Sequence, residues 1–341
     1  TFFLFIQIEK LITDLTKDQN VAADAASSFE AHPADTTKEH LEILHKIGFN
    51  RISIGVQEFS DLILKTINRK QTTEQVVTLV NNARAVGYDS INFDLLYGLP
   101  HQTLSDIDTM MDYVDELRPE RIAFYGYAHV PWIKPSQRAY GVMDLPKGMD
   151  RWNLFEQGKK RLLEMGYQQI GIDHFALPTD ELLIADNKGE LHRNFMGYTA
   201  KPTELLIGLG ASSISDSWST YVQNEKHIED YKAKVHSGQL PIIKGHNLTE
   251  EDKVHRQHIL NIMCNYGTSW ADMDLRTDAL FEGLVRLQEL EVEGFVEIDL
   301  AKKELRVLEA GRPFIRNIAL LLDARYWARK GVKERQFSRA L

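Results

Sequence analysis

Arg51-Ile-Ser-Ile-Gly-Val56 and Ile91-Asn-Phe-Asp-Leu-Leu-Tyr97 are the stretches that decide the fold. Both are short, β-branched and apolar, and a single helical pattern lies between them. Thr72-x-x-Gln75 opens that helix as a capping box, Val76, Val80 and Ala83 share its inner face, and Gly87 follows its end. A strand, one helix and a second strand imply parallel pairing with a right-handed crossover. The same alternation extends both ways. Upstream, Ser27–Ala31 is a strand stopped by Pro33, and Thr36-x-x-Glu39 caps a helix carrying Leu41, Leu44 and Ile47 that Gly48 ends. Downstream, a helix is expected over Leu104–Leu117 and a fourth strand over Arg121–Tyr127. Four such units do not close an eight-stranded barrel, so they predict an open sheet or part of a barrel.

Beyond residue 130 the pattern weakens. Pro131, Pro135, Pro146 and Pro178 interrupt it, and residues 131–240 read as irregular apart from one amphipathic helix over Arg151–Met165. From Thr249, with Thr249-x-x-Asp252 as entry cap, the chain is helical, and Glu293–Ile298 with Leu305–Leu308 predicts a hairpin of winged-helix type. The expected domains are 1–225, the open sheet or partial barrel with an extension, and 226–341, mostly helical.

Composition sets outer limits. Forty Lys and Arg against forty-nine Asp and Glu leave a net charge of −9, which argues against a nucleic-acid or anionic-membrane binder. One cysteine excludes a disulfide scaffold and fits a reducing cytoplasm. No apolar run is long enough to span a bilayer. The chain does not begin with Met and reads as though it starts inside a longer protein.

In parallel α/β folds, sites form at the carboxyl ends of strands. There stand Glu30, Gln57 with Arg69 a helix later, Asp94, and the step Tyr127-Ala128-His129. Asp94 sits in a strand expected to be buried on both faces, where a charge needs a partner. Each residue alone reads equally as structural. Together they suit a ligand with an ammonium, a carboxylate and a ribose. His192-Arg193-Asn194-Phe195 groups an acid/base, a permanent cation and an amide, and Arg193 is suited to clamp a carboxylate. Asp173 and His174, as neighbours on a strand, are expected to face opposite ways without a direct bond. Gly208–Ser213 is a small-residue turn open to close backbone approach, and Cys264 lies on an apolar helix face as a core residue. No metal-ligand spacing and no nucleophile elbow occur.

Taken in order, Arg51–Gln57, Asn68-Arg69, Ile91–Pro100, Tyr127-Ala-His129, Gly171-Ile-Asp-His-Phe-Ala176, His192-Arg-Asn-Phe195, Gly197-Tyr-Thr199, Arg316-Asn317 and Gln336-Phe-Ser-Arg339 resemble the oxygen-independent coproporphyrinogen III oxidases (dehydrogenases). These are radical enzymes that use S-adenosylmethionine (SAM), and the resemblance runs the whole chain. It implies a (β/α)6 radical-SAM-type barrel of which four parallel strands remain. It implies two SAM molecules per site, Glu30 and Ile214 contacting the first and Gln57, Arg69, Asp94 and Ala128 the second. Arg193 and His174 are candidates for contact with the substrate, coproporphyrinogen III. In the family a [4Fe-4S] cluster, fed by flavodoxin or ferredoxin, cleaves SAM to a radical. That radical takes a hydrogen from a propionate side chain, which loses carbon dioxide and becomes a vinyl group. Two rounds give protoporphyrinogen IX in anaerobic haem biosynthesis.

The departures from the family are contiguous. Its Cys-x-x-x-Cys-x-x-Cys and a later Gly-Gly-Thr-Pro precede a Thr, and this chain starts at that Thr. The metal-ligand set here is therefore none, and the chain as written is expected to lack activity. Met196 stands where the family has Gln, and Leu4-Phe5 where it has a polar helix entry. Ser27–Ala31 becomes an edge strand, and Phe2-Phe3-Leu4-Phe5 is a candidate to cover it. A monomer is expected, in the cytoplasm. The alternatives are the haem-chaperone paralogue, which binds haem, and a cluster-free SAM-binding remnant.

Overall fold

A computed structural model describes residues 5–22 and 25–329. Residues 2–4, expected to help cover the sheet edge, and residues 336–339, part of the family resemblance, lie outside the described residues. The chain divides into two compact units between Leu183 and Ile184.

The first unit opens with helix α1 (Phe5–Thr16) and then alternates β1 (Ser28–Ala31), α2 (Lys38–Lys46), β2 (Arg51–Gln57), α3 (Asp61–Thr66), α4 (Thr73–Val86), β3 (Ser90–Tyr97), α5 (Leu104–Leu117) and β4 (Arg121–Gly126). After α6 (Met149–Glu164) come the short strands β5 (Gln168–Ile170) and β6 (His174–Ala176). They form one sheet in the order β1-β2-β3-β4-β6-β5. The first four strands are parallel, as the alternation predicts, and β6 and β5 add antiparallel pairings at the far edge. The last two are only three residues each, too short for a period-two pattern to announce them.

One face of the sheet is the core. Ile52, Ile54 and Val56, Ile91, Phe93 and Leu95, and Ile122 and Phe124 are buried there beneath Leu41, Val76, Val80, Met110 and Val114 of the helices. Each such side chain contributes on the order of 1.5–3 kcal/mol by leaving water. Helix α6 lies so close to β4 that a Cβ on Gly158 would sit 2.5 Å from the Phe124 ring. Local signals set the helix starts. Thr72 with Gln75 and Thr103 with Asp106 form reciprocal caps, and Gly87 ends α4 at φ +108°, a left-handed conformation that favours glycine. The cap of α2 departs from expectation by one residue: Thr37, not Thr36, pairs reciprocally with His40, while the Thr36 hydroxyl is buried without a partner.

The second unit corrects the expectation of irregular chain through residue 240. After α7 (Glu181–Asn187), which crosses the boundary, β7 (His192–Asn194) and β8 (Gly197–Thr199) form a hairpin. Strands β9 (Ile214–Asp216), β10 (Thr220–Asn224) and, after α8 (Ile228–His236), β11 (Ile242–Asn247) form an antiparallel sheet. The remainder is α9 (Glu250–Asn265), β12 (Gly267–Ser269), α10 (Asp278–Val292), β13 (Val296–Asp299), β14 (Glu304–Val307), α11 (Ile315–Leu321) and α12 (Ala324–Ala328). The expected hairpin is present as β13 and β14, with β12 as an unforeseen third strand. Thr249 and Asp252 cap α9 as read from sequence. The units divide upstream of the boundary expected at residue 225, because the sheet of β9–β11 is tied to α9. Arg256 of α9 reaches Asp216 of β9 at 2.6 Å, and both groups are nearly buried. Among the described residues no helix is long and apolar enough to cross a membrane.

Candidate ligand-binding face of the parallel sheet

Strand alternation separates two kinds of residue. On β2, Ile52, Ile54 and Val56 turn to the helices, so Arg51, Ser53, Gly55 and Gln57 turn away; on β3, Asn92 and Asp94 do the same. Parallel register aligns them. Glu30 pairs with Ser53 and Ser53 with Asn92, while Asp94 pairs with Ala123, and Ala123 in turn with His174. The helix-free face is therefore polar and partly open. This corrects the expectation that Asp94 is buried on both faces.

Asp94 sits at the centre of that face. Asn92 Nδ2 donates to Asp94 Oδ1 at 3.0 Å and Ser53 Oγ donates to Oδ2 at 3.3 Å. Burial pushes the Asp94 carboxyl up, opposed by those two hydrogen bonds and by the charges of His174 and Arg69. Burial also pushes Glu30 up, reinforced by Asp94 nearby, while a hydrogen bond with Ser53 opposes it. Two carboxyls on one face with raised proton affinity respond to an arriving cation by ionising. The Asn92 Oδ1 atom is buried and lacks a partner. Such an orphan acceptor is costly unless a ligand or water meets it.

Gln57 ends β2 with φ +68°, in the left-handed region that is uncommon for a non-glycine residue. Its Nε2 lies 3.5 Å from the Asp94 carbonyl oxygen. Arg69 crosses to the same place: Nη2 donates to the Gly55 carbonyl and Nε donates to Gln71 Oε1 at 2.7 Å. A Cβ on Gly55 would meet Arg69 Nη2 at 3.2 Å, so the absent side chain makes room for the guanidinium. Ala128 is exposed on the loop after β4, where its carbonyl accepts from Gln137 Nε2 at 3.1 Å. His174 is buried, and its Nδ1 is 2.8 Å from Asp173 Oδ1. That direct contact overturns the expectation of opposed faces. Asp173 precedes β6 and lies in a turn, where strand alternation does not apply.

Beside this face stands a buried acid of another kind. Glu58 is 1% exposed, and burial pushes it up to about 7. Its Oε1 accepts from the amides of Phe59 at 2.8 Å and Ser60 at 3.2 Å, and its Oε2 from Gln102 Nε2 at 2.6 Å. Gln102 also receives the Gly98 and Leu99 amides and donates to the Leu96 carbonyl. This network fixes the loops that follow β2 and β3.

The remaining candidates belong to the second unit. Ile214 begins β9, and a Cβ on Gly208 would lie 2.7 Å from its carbonyl oxygen, so the glycine permits that close passage. Arg193 lies in β7 with its guanidinium 4.8 Å from the centre of the Tyr198 ring. His192 is held below its usual value by burial and then by the charge of Arg256, with Asp216 opposing. Ser53, Asn92 and Gln71 escaped the sequence reading. Ser53 and Asn92 stand two residues from Gly55 and Asp94 on the same face, a relation that the strand register reveals and the residue types alone do not.

The residues of this face fit one of the two cofactors that the resemblance implies and not the other. Carboxyls at Glu30 and Asp94, the guanidinium of Arg69 and the orphan acceptor of Asn92 fit a ligand with an ammonium, a carboxylate and hydroxyls, as SAM has. An iron–sulfur cluster does not fit the residues present. The one cysteine, Cys264, is buried in α9 and its thiol is pushed up to about 12 by that burial. Among the described residues no group of three or more His, Cys, Asp or Glu is placed to hold a metal ion.

Comparison with known proteins agrees in direction. Residues 2–114 match the family model described as the Radical SAM superfamily. The oxygen-independent coproporphyrinogen III oxidase of Escherichia coli is 36% identical over the full chain, which spans 75% of that relative. The protein of the same description from Thermostichus vulcanus is 37% identical, with 93% of this chain and 98% of that one aligned. The solved structure of the Escherichia coli coproporphyrinogen III oxidase, a radical SAM enzyme, superposes with a TM-score of 0.89 over 94% of this chain and 75% of that one.

Proposed function

Because the chain belongs to the oxygen-independent coproporphyrinogen III oxidases, we propose that it serves the oxidative decarboxylation of coproporphyrinogen III to protoporphyrinogen IX in haem biosynthesis. The conversion turns two propionates into vinyls. The observation that carries this reading is the 36% identity held along the whole chain.

The polar sheet face is the proposed SAM site. SAM, when bound, supplies the hydrogen-abstracting chemistry of the family. The chain's own residues bind and orient it. Asp94, held by Asn92 and Ser53, presents its carboxyl to a cationic group, and Glu30 serves a second such group on the same face. Arg69, anchored through Nη2 and Nε, offers its remaining nitrogen to a carboxylate. Gln57 and the backbone around Ala128 supply polar contacts beside it. Cys264, buried in α9, has no part in this chemistry.

The same reading carries a one-electron donor of the flavodoxin or ferredoxin type and a monomeric state. It also carries a cytoplasmic location, supported by a single buried cysteine. The test is anaerobic incubation of the gene's full product with coproporphyrinogen III, SAM and a low-potential reductant. Release of two carbon dioxide per tetrapyrrole and vinyl products by mass spectrometry are expected. Unchanged coproporphyrinogen together with tight haem binding would replace this function with that of the haem chaperone.

A further inference from the structure

The second unit contains a cavity of about 590 Å³ that the SAM site does not use. That volume is in the range of small-molecule sites. Its apolar lining comes from Ile259, Leu260 and Met263 of α9, Leu320 of α11 and Phe195, which is 54% exposed. Four arginines also line it: Arg193, Arg256, Arg316 and Arg325.

These four differ in how their charge is used. Arg256 is consumed by Asp216, with hydrogen bonds at 2.9 and 2.6 Å. Arg325 is consumed by Asp252 at 2.5 and 2.6 Å. The third aspartate of the lining, Asp323, caps α12 by accepting from the Tyr326 amide at 2.9 Å. The guanidinium groups of Arg193 and Arg316 have no ion pair or hydrogen bond among the described residues; that of Arg193 stacks on Tyr198, and its charge is felt by the Cys264 thiol. Two unused guanidinium groups in an apolar-lined cavity describe a site for a hydrophobic body bearing two carboxylates.

We propose that this cavity takes the porphyrinogen, with Arg193 and Arg316 each binding a propionate carboxylate while the tetrapyrrole body lies on the apolar lining. This rests on the functional reading above, which supplies the ligand's identity; the cavity supplies the place and the contacts. Coproporphyrinogen III carries more propionates than the two that react, so carboxylates remain for positioning. Arg193 and Arg316 are positioning residues here.

The experiment is fluorescence titration of the full chain with coproporphyrin III, the stable oxidised form, and with its tetramethyl ester. Arg193→Gln and Arg316→Gln are each expected to weaken binding of the free acid about tenfold, and the pair about a hundredfold. The ester is expected to bind no better than the double variant binds the free acid. Thermal unfolding of the variants should match the parent, because neither arginine has an ion partner to lose. Equal binding of acid and ester, or an unchanged affinity in the double variant, overturns the proposal. The turnover assay separates this from the functional reading. Turnover with unchanged KM in the double variant removes the cavity's role and leaves the function intact. Absence of turnover in the parent, with arginine-dependent coproporphyrin binding retained, leaves the site standing and removes the function.

Discussion

Glu58 and Asp94 are carboxyls of the same sheet, one just past the end of β2 and one within β3, and burial raises the proton affinity of both. Their surroundings differ in kind. The oxygens of Glu58 are occupied by two backbone amides and the Gln102 amide, all within the same loops. Asp94 is held by Asn92 and Ser53 on a face it shares with Glu30 and Arg69, and that face includes an acceptor with no partner. Depth alone does not distinguish a structural acid from a binding acid. What distinguishes them is whether the fold itself consumes the hydrogen-bonding capacity around the group.

The contrast can be broken at either end. The largest effect is expected from Gln102→Leu, which strips Glu58 of its side-chain donor and leaves the Gly98 and Leu99 amides without an acceptor. A loss of about 4 kcal/mol in urea unfolding is expected, with SAM affinity of the folded fraction unchanged. Next is the pH dependence. Because Glu58 is raised from 4.5 to about 7, its stabilising contribution is full below pH 4.5 and is lost as pH rises from 4.5 through about 7. The full span is worth roughly 3 kcal/mol, and Glu58→Gln should flatten that part of the stability profile. The smallest effect sharpens the other side. Asp94→Asn should weaken SAM binding about tenfold by calorimetry, about 1.4 kcal/mol, while moving the unfolding midpoint little. A large stability loss from Asp94→Asn, or unaltered SAM binding, would erase the distinction.

Much of the first unit was legible because its elements are long and their signals redundant. The bounds of α5 are those read from the sequence, and β2 and β3 differ from expectation by one residue at an end. The exception at α2 arose because Thr36-x-x-Glu39 fits the capping-box pattern, whereas the cap that forms pairs Thr37 with His40, a residue type outside that pattern. In the second unit the signal failed for physical reasons. The β10 segment Thr-Tyr-Val-Gln-Asn has no buried apolar alternation, since only Asn224 of it is buried. Strands β7 and β8 are three residues each. Of the candidate site, Glu30, Gln57 and Asp94 were visible as polar interruptions of apolar strands. Ser53 and Asn92 were not, because small polar residues in a strand become informative only when the register shows which face they share. The contact between Asp173 and His174 was misread because it depends on where β6 begins, a boundary that no residue type marks.

The approach of α6 to β4 has a consequence for how this sequence is free to drift. Gly158 and Phe124 occupy one shared volume, since even a methyl group at 158 would overlap the ring at its present position. Neither site is free to vary alone: enlargement at 158 requires a smaller residue at 124, and a smaller residue at 124 alone opens a void. Variants of this protein should therefore change these two positions as a pair, linking a helix residue to a strand residue thirty-four positions upstream (158 − 124) that makes no hydrogen bond with it.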